Sequence, residues 1–373
     1  MKSGEHTTVP SPLGRGARGE GYQPLVHTDL NRFSEEIGQH HLMPLWERAP
    51  RAKPGSSCVP MIWRYEEVRP LLMRAVELVD HHKAERRVLV LENPGLRGST
   101  FITCSLFAGL QIIMPGEVAP SHRHTPNALR FIVEGAGAYT AVAGERTYME
   151  PGDFIVTPGW AWHDHGNTGS EAVVWMDGLD TPFAQFFDAN FREDYPADKH
   201  PLTHADGYAA AAYGSSLLPV DYRPEGPATP VLRYPYERTR GALERLAREG
   251  PVHGAHGVRL RYVNPADGRH AFPTMAAFMR LLPKSFSGTS HRSTDGAVFN
   301  VVEGHGAVEI GTERYVFAAH DVFVVPPWCP HRFQAEAECV LFSFSDRAAQ
   351  EALGFWREEL ERKDERGRMK DEG

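Results

Sequence analysis

The apolar residues change period along the chain. Leu30, Phe33 and Ile37 recur at helical spacing, and Val68, Leu71, Leu72, Ala75, Leu78 and Val79 form a second stripe, so 25–92 reads as a helical lead. Residues 93–188 switch to short runs rich in Val, Ile, Phe, Tyr and Gly, broken by Gly and Pro. That pattern predicts antiparallel strands closing into a small barrel. The same texture returns over 264–345. Between them, 189–263 is a linker rich in Pro, Tyr and Gly, with one helix expected around Arg240 to Arg248. From Asp346 to about Leu360 the spacing predicts an amphipathic helix carrying Leu353 and Trp356, and a charged, solvated tail completes 346–373. Residues 1–24 are polar and are expected to be disordered.

The two strand-rich regions repeat one another. Ser290-His291-Arg292-Ser293-Thr294-Asp295-Gly296-Ala297 answers Ser121-His122-Arg123-His124-Thr125-Pro126-Asn127-Ala128, and Val302-Glu303-Gly304 answers Val133-Glu134-Gly135. Farther on, Pro326-Pro327-Trp328-Cys329-Pro330-His331 answers Pro158-Gly159-Trp160-Ala161-Trp162-His163. An offset held through both segments means that one barrel was duplicated.

The chemistry sits in the first copy. Side chains alternate along a strand, so His122 and His124 point the same way. A third His from a later strand would complete three neutral nitrogen donors, a set that suits a divalent transition metal with open positions. His331 aligns with His163 and Phe333 with His165, which selects His163 as that third donor. The second copy has Ser293 in place of a His and retains only His291 and His331, so it reads as structural. Parity also turns Ala128 and Arg130 inward. A buried Arg there either pairs with a wall carboxylate or awaits an anionic ligand; the second copy has Phe299 at this position, so the fold does not require Arg. Phe107, Gly109 and Gln111 share one strand face, with Gly109 either opening space or marking a bulge. His165 has the parity of His163 and could exchange a substrate proton or be a satisfied core His. Asp177 ends an apolar strand and could orient His165, contact a ring substituent or be a plain turn residue. Trp160 and Trp162 are read as pocket wall or core.

Composition narrows the alternatives. A net charge of −8 and a pI near 6.2 exclude a nucleic-acid binder driven by bulk positive charge. Cys58, Cys104, Cys329 and Cys339 have neither paired nor CxxC spacing, as expected of thiols in a reducing cytoplasm. No apolar run suits a signal peptide or a membrane span.

These motifs resemble the cupin family. Gly116, His122, His124 and Gly135 fit its first motif, with Ala128 where that motif usually has Glu; Gly152, Pro158, His163 and Asn167 fit its second. Loss of the carboxylate, together with Trp160-Ala161-Trp162-His163-Asp164-His165-Gly166-Asn167, resembles the gentisate 1,2-dioxygenase group, which includes salicylate and 1-hydroxy-2-naphthoate dioxygenases. The resemblance implies a mainly β bicupin, two small β-barrels of the jelly-roll type behind an N-terminal helical lead. It further implies one Fe(II) per chain on His122, His124 and His163, a small aromatic hydroxy-acid and O2 as substrates, and a homotetramer. Substrate contacts would come from Arg86, Phe107, Gly109, Gln111 and Arg130, with His165 and Asp177 as catalytic groups; Arg87 is one residue from the Arg86 assignment. The implied reaction opens gentisate to maleylpyruvate. A salicylate or hydroxynaphthoate substrate, a non-redox cupin enzyme with Zn, Mn or Ni, and a non-catalytic ligand-binding cupin are the alternatives.

Overall fold

The computed structural model describes residues 27–48, 50–80, 86–215 and 217–361. The expected disorder of 1–24 and the tail beyond Glu361 lie outside them. The chain divides into two units, Met1–Lys53 and Pro54–Gly373. In the first, the expected helix runs His27–Gln39, and Ser34 Oγ donates 3.0 Å to Glu47 of a short turn Leu45–Glu47.

The second unit holds both barrels. In the N-terminal barrel one sheet runs, in spatial order, Arg233–Tyr234, Phe154–Thr157, Ala128–Glu134, Val173–Leu179, Phe107–Ile113, Arg87–Val90. The other runs Arg192–Asp194, Val118–His124, His163–Asn167, Ala138–Val142, Glu145–Tyr148. The C-terminal barrel repeats the first of these as Met61–Trp63, Val322–Val325, Ala297–Glu303, Cys339–Ser345, Ala276–Leu282, Val258–Arg261. The large sheets pack back to back. Leu129, Phe131, Val133 and Met176 from one meet Met279, Leu281, Phe342 and Phe344 from the other in a single core, where Phe131 and Phe342 stack at 4.2 Å. Burying each such ring contributes about 1.5–3 kcal/mol. Both faces of these strands are therefore covered, which is why Ala128–Val133 is buried without alternation. Even-numbered residues of this strand look into the barrel and odd-numbered ones into the joint.

The repeat extends past the barrels, which corrects the division into lead and linker. Met61–Trp63, helix Tyr65–Leu78 and Arg87–Val90 match Arg233–Tyr234, helix Tyr236–Glu249 and Val258–Arg261 in order and length of helix. Each leading strand pairs with the other copy's barrel: Met61–Trp63 on Val322–Val324, Arg233–Tyr234 on Phe154–Ile155. Carboxylates from those barrels, Asp321 and Asp153, accept the backbone N–H of Tyr65 and Tyr236 at 2.8 and 2.9 Å, closing the helix N-termini. Of the stripe expected on the first of these helices, Leu72 is fully buried and Val68 packs on the core, whereas Leu71, Leu78 and Val79 are exposed.

The expected C-terminal helix is also corrected. Only Arg347–Ala352 is helical; Gly354 turns the chain at φ +73°, and Glu358–Leu360 forms a strand beside His291–Ser293. Trp356 Nε1 donates 3.0 Å to Asp295, so its ring docks on the barrel instead of a helix face. The four thiols are free, and no helix among the described residues is long and apolar enough to cross a membrane.

Candidate active site

Two strands of the small sheet bring the histidines together. His122 and His124 lie on Val118–His124, and His163 pairs with His122 across the ladder. Their ring centroids stand 4.3 to 5.6 Å apart, and the three are 1%, 8% and 0% exposed. Each Nδ1 donates to a backbone carbonyl within its own turn: His122 to Pro120 at 2.9 Å, His124 to Pro126 at 2.8 Å, His163 to Ala161 at 2.9 Å. Those bonds fix the tautomer and leave each Nε2 with a bare lone pair. The three Nε2 atoms have no hydrogen-bond partner, and the triad's ligand atoms lie within 4.8 Å of one another. Burial, followed by the charge of Arg86, lowers His122 to about 2 and His124 to about 4; burial holds His163 well down too. Neutral imidazoles with converging, orphaned nitrogens fit a divalent transition metal.

Around this triad the large sheet supplies polar groups. Arg130 is 1% exposed and donates to the Thr157 hydroxyl, while its Nε lies 3.5 Å from Asp177 Oδ1, directly across the ladder. The wall carboxylate weighed for Arg130 thus exists. Burial dominates both partners: it lowers Arg130 to about 10 despite Asp177, and raises Asp177 despite Arg130 and Arg86. Arg130 stays charged, in a pair that desolvation leaves undercompensated. Trp175 Nε1 donates 3.0 Å to the same Asp177 oxygen. Asp177 therefore holds Arg130 and Trp175; its described hydrogen bonds do not include His165.

His165 is fully buried with neither ring nitrogen partnered, 5.8 Å between centroids from His163 and 5.7 Å from Trp175. Burial and then Arg130 lower its pKa, so its imidazole is neutral, with both ring nitrogens open to hydrogen bonding. Gln111, 1% exposed, pairs with Trp175 across the strands and leaves its Oε1 without a partner. Gly109 pairs with Asp177 in a regular ladder, so it marks no bulge; a Cβ there would come within 2.6 Å of Val88 Cγ1 and 3.4 Å of Phe107 Cζ. Phe107 begins the same strand, half-buried.

The neighbouring arginines separate cleanly. Arg87 is tied by Nη1 and Nη2 to Glu117 at 2.7 to 2.9 Å, and its Nε donates to Val79 O, a structural role. Arg86 instead acts electrostatically on His122, His124, Arg130, His165 and Asp177. Trp160 and Trp162 differ from expectation: both are half-buried and clasp the Arg123 guanidinium at 4.3 and 4.5 Å.

Sequence reasoning missed Trp175, Thr157 and Arg192. Parity with Asp177 could have found Trp175. Arg192 lies on a strand paired with the His122–His124 segment and adds positive charge near both rings, but nothing in the linker's composition announced a strand. The second copy is also richer than its two histidines suggested. His256 Nε2 and His291 Nε2 stand 3.4 and 2.8 Å from one oxygen of Glu358, a set closed by contacts among its own members.

The two barrels have counterparts among known proteins. The cupin domain model matches residues 109–179 and 277–344, one span per barrel. Gentisate 1,2 dioxygenase 1 of Aquipseudomonas alcaligenes is 48% identical over 339 residues, covering 90% of this chain and 98% of that protein. This chain belongs to the gentisate 1,2-dioxygenase family. A 1-hydroxy-2-naphthoate 1,2-dioxygenase of Nocardioides sp. (strain KP7) is 34% identical, with 89% and 88% covered. A structure of salicylate 1,2-dioxygenase from Pseudoaminobacter salicylatoxidans, as adducts with gentisate, superposes with a TM-score of 0.84 at 35% identity, covering 91% of this chain and 96% of that one. In this family member the complete His triad falls in the first matched span, and the second carries Ser293.

Proposed function

We propose that this protein opens the ring of gentisate with O2, between the carboxylate-bearing carbon and its hydroxylated neighbour, giving maleylpyruvate. The observation that carries the reading is the convergence of three bare, buried Nε2 atoms beside a buried Arg whose wall carboxylate incompletely offsets it. His122, His124 and His163 would hold one Fe(II), which when bound supplies the redox chemistry linking the ring to O2. Arg130 and Arg86 bind the substrate carboxylate; a guanidinium suits it because its planar fork presents two parallel donors. Asp177 positions Arg130. His165, neutral and unpartnered, accepts the phenolic proton. Gln111 offers its free carbonyl oxygen to a ring hydroxyl, and Gly109 lets Val88 and Phe107 pack closely beside it. Both oxygen atoms enter the product. In this reading the enzyme works in the cytoplasm, in keeping with four unpaired thiols, and as a homo-oligomer.

The test is anaerobic loading with Fe(II), then O2 uptake with a panel of hydroxybenzoates and hydroxynaphthoates. Stoichiometric O2 consumption with gentisate is expected; tight binding of Zn in preference to iron, or no uptake with any member of the panel, would defeat the proposal. A second reading, a salicylate or 1-hydroxy-2-naphthoate as main substrate, is favoured by Phe107, whose apolar ring cannot donate a hydrogen bond to gentisate's second hydroxyl. Turnover of those acids without gentisate would select it.

A further inference from the structure

The C-terminal barrel keeps its walls and changes its lining. Strand register carries each pocket position of the first barrel onto the second. Gln111, opposite Val88, corresponds to Arg280, opposite Arg259. Arg130 and Asp177, opposite one another, correspond to Phe299 and Ser343. The buried cation has moved to another strand, and the carboxylate that faced it has gone.

Arg280 is consequently in an unusual position. It is 3% exposed, its Nε and Nη1 have no hydrogen-bond partner, and its guanidinium lies 4.8 and 4.9 Å from the ring centroids of Phe299 and Phe333. Directly across the ladder stands a second guanidinium, Arg259. Like charges placed opposite each other on adjacent strands repel, and a buried charge without a counterion is costly. Two carboxylates lie nearby and act on Arg259: Glu358, which also contacts His256 and His291, and Asp295, which accepts from Trp356 Nε1 and shares the cavity wall; neither is paired with Arg280. The other cation of the wall, Arg347, is paired with Glu351 at 2.6 Å.

Arg259, Arg280, His291, His331, Ser343 and Ser345 line a cavity of about 30 Å³. A single water needs roughly 10–15 Å³ of such space, so the cavity takes a few atoms and excludes an aromatic acid. Two guanidinium groups on its wall also disfavour a metal cation at the neighbouring histidines.

We propose that the interior of the C-terminal barrel binds one small monovalent anion, of the size of formate, bicarbonate or chloride, between Arg280 and Arg259 with the Ser343 hydroxyl as a further donor. The anion supplies the counter-charge that the first barrel builds in as Asp177. It is a site separate from the His122 triad, and it stands whether or not gentisate is the substrate.

The experiment is thermal unfolding of the metal-loaded enzyme against sodium formate and sodium chloride, with sodium gluconate holding ionic strength constant. Gluconate is too large for the cavity and serves as the reference. The native protein is expected to show a saturable rise in Tm with formate, chloride or both, and Arg280→Gln, which installs the residue of the first barrel, to lose that rise. In gluconate alone Arg280→Gln should be at least as stable as the native chain, because an uncompensated buried charge has been removed. Anion binding at the catalytic metal would raise Tm equally in both proteins, and that result overturns the proposal. A native Tm that does not respond saturably overturns it too. Should Arg280→Gln fail to fold, Arg259→Gln measured the same way decides the matter by the same criteria.

Discussion

Replacing Asp177 by Asn isolates the charge that holds Arg130. The side chains keep the same shape, and the Asn oxygen still accepts from Trp175 Nε1, now 3.0 Å from the Asp oxygen. What disappears is the carboxylate 3.5 Å from a guanidinium that is 1% exposed. Two unit charges at that separation attract by roughly 5 kcal/mol at an effective dielectric of about 20. Removing one member of a buried pair typically costs about 3–5 kcal/mol, because the other charge remains without compensation. Asp177→Asn should therefore lose about 3–5 kcal/mol of unfolding free energy in urea without substrate. Substrate should reverse part of the loss. If the gentisate carboxylate docks on Arg130, it meets an unshared guanidinium in the variant and a partly neutralised one in the native enzyme. The excess is that of a charge-assisted hydrogen bond, about 1.5–3 kcal/mol, or roughly ten- to hundredfold tighter binding. Anaerobic melts with and without gentisate read this directly, since no turnover intervenes. A larger ligand-induced Tm rise in Asp177→Asn than in native protein is expected, and Arg130→Gln/Asp177→Asn should abolish the excess. Equal increments in native and variant would refute the placement of the substrate carboxylate on Arg130. A stability loss under about 1 kcal/mol would refute the pair itself.

Four further outcomes are expected. His163→Ala should lose bound metal and ring opening together, while His291→Ala leaves one metal per chain; elemental analysis with O2 uptake checks both. His165→Asn should retain metal yet lower kcat by about a hundredfold or more, the usual worth of a positioned proton acceptor; a kcat within threefold of native would make His165 a packing residue. Gly109→Ala places a methyl 2.6 Å from the present position of Val88 Cγ1, so it should cost about 1–3 kcal/mol and alter the substrate range, and Val88→Ala in the same chain should restore much of the stability. Phe107→Tyr adds a hydroxyl at the pocket's half-buried edge and should shift kcat/KM toward gentisate relative to salicylates; an unchanged ratio would remove Phe107 from substrate selection.

What the chain determines on its own is local and periodic. Alternation within Ser121–His124 and within Ala128–Arg130 puts His122 with His124, and Ala128 with Arg130, on one face each, because a strand's side-chain period is two whatever surrounds it. Duplication does the rest: with His331 and Phe333 as internal references, it distinguishes His163 from His165 without any partner structure. Both long helices of the Pro54–Gly373 unit were expected, the first from its apolar stripe and the second as one helix around Arg240 to Arg248. The pairings are a different matter. That Asp177 faces Arg130, that Arg87 is consumed by Glu117 while Arg86 bears on the histidines, and that Met61–Trp63 closes the other copy's barrel all depend on register between segments far apart in sequence. Three-residue strands such as Arg192–Asp194 and Glu358–Leu360 are too short for any periodicity; they are strands only because an edge of backbone donors and acceptors is there to be satisfied. The second barrel shows the same division. Its lost His is plain at Ser293, but the facing of Arg259 and Arg280 across a buried ladder arises only when the strands align, and electrostatics in the interior is decided by that alignment.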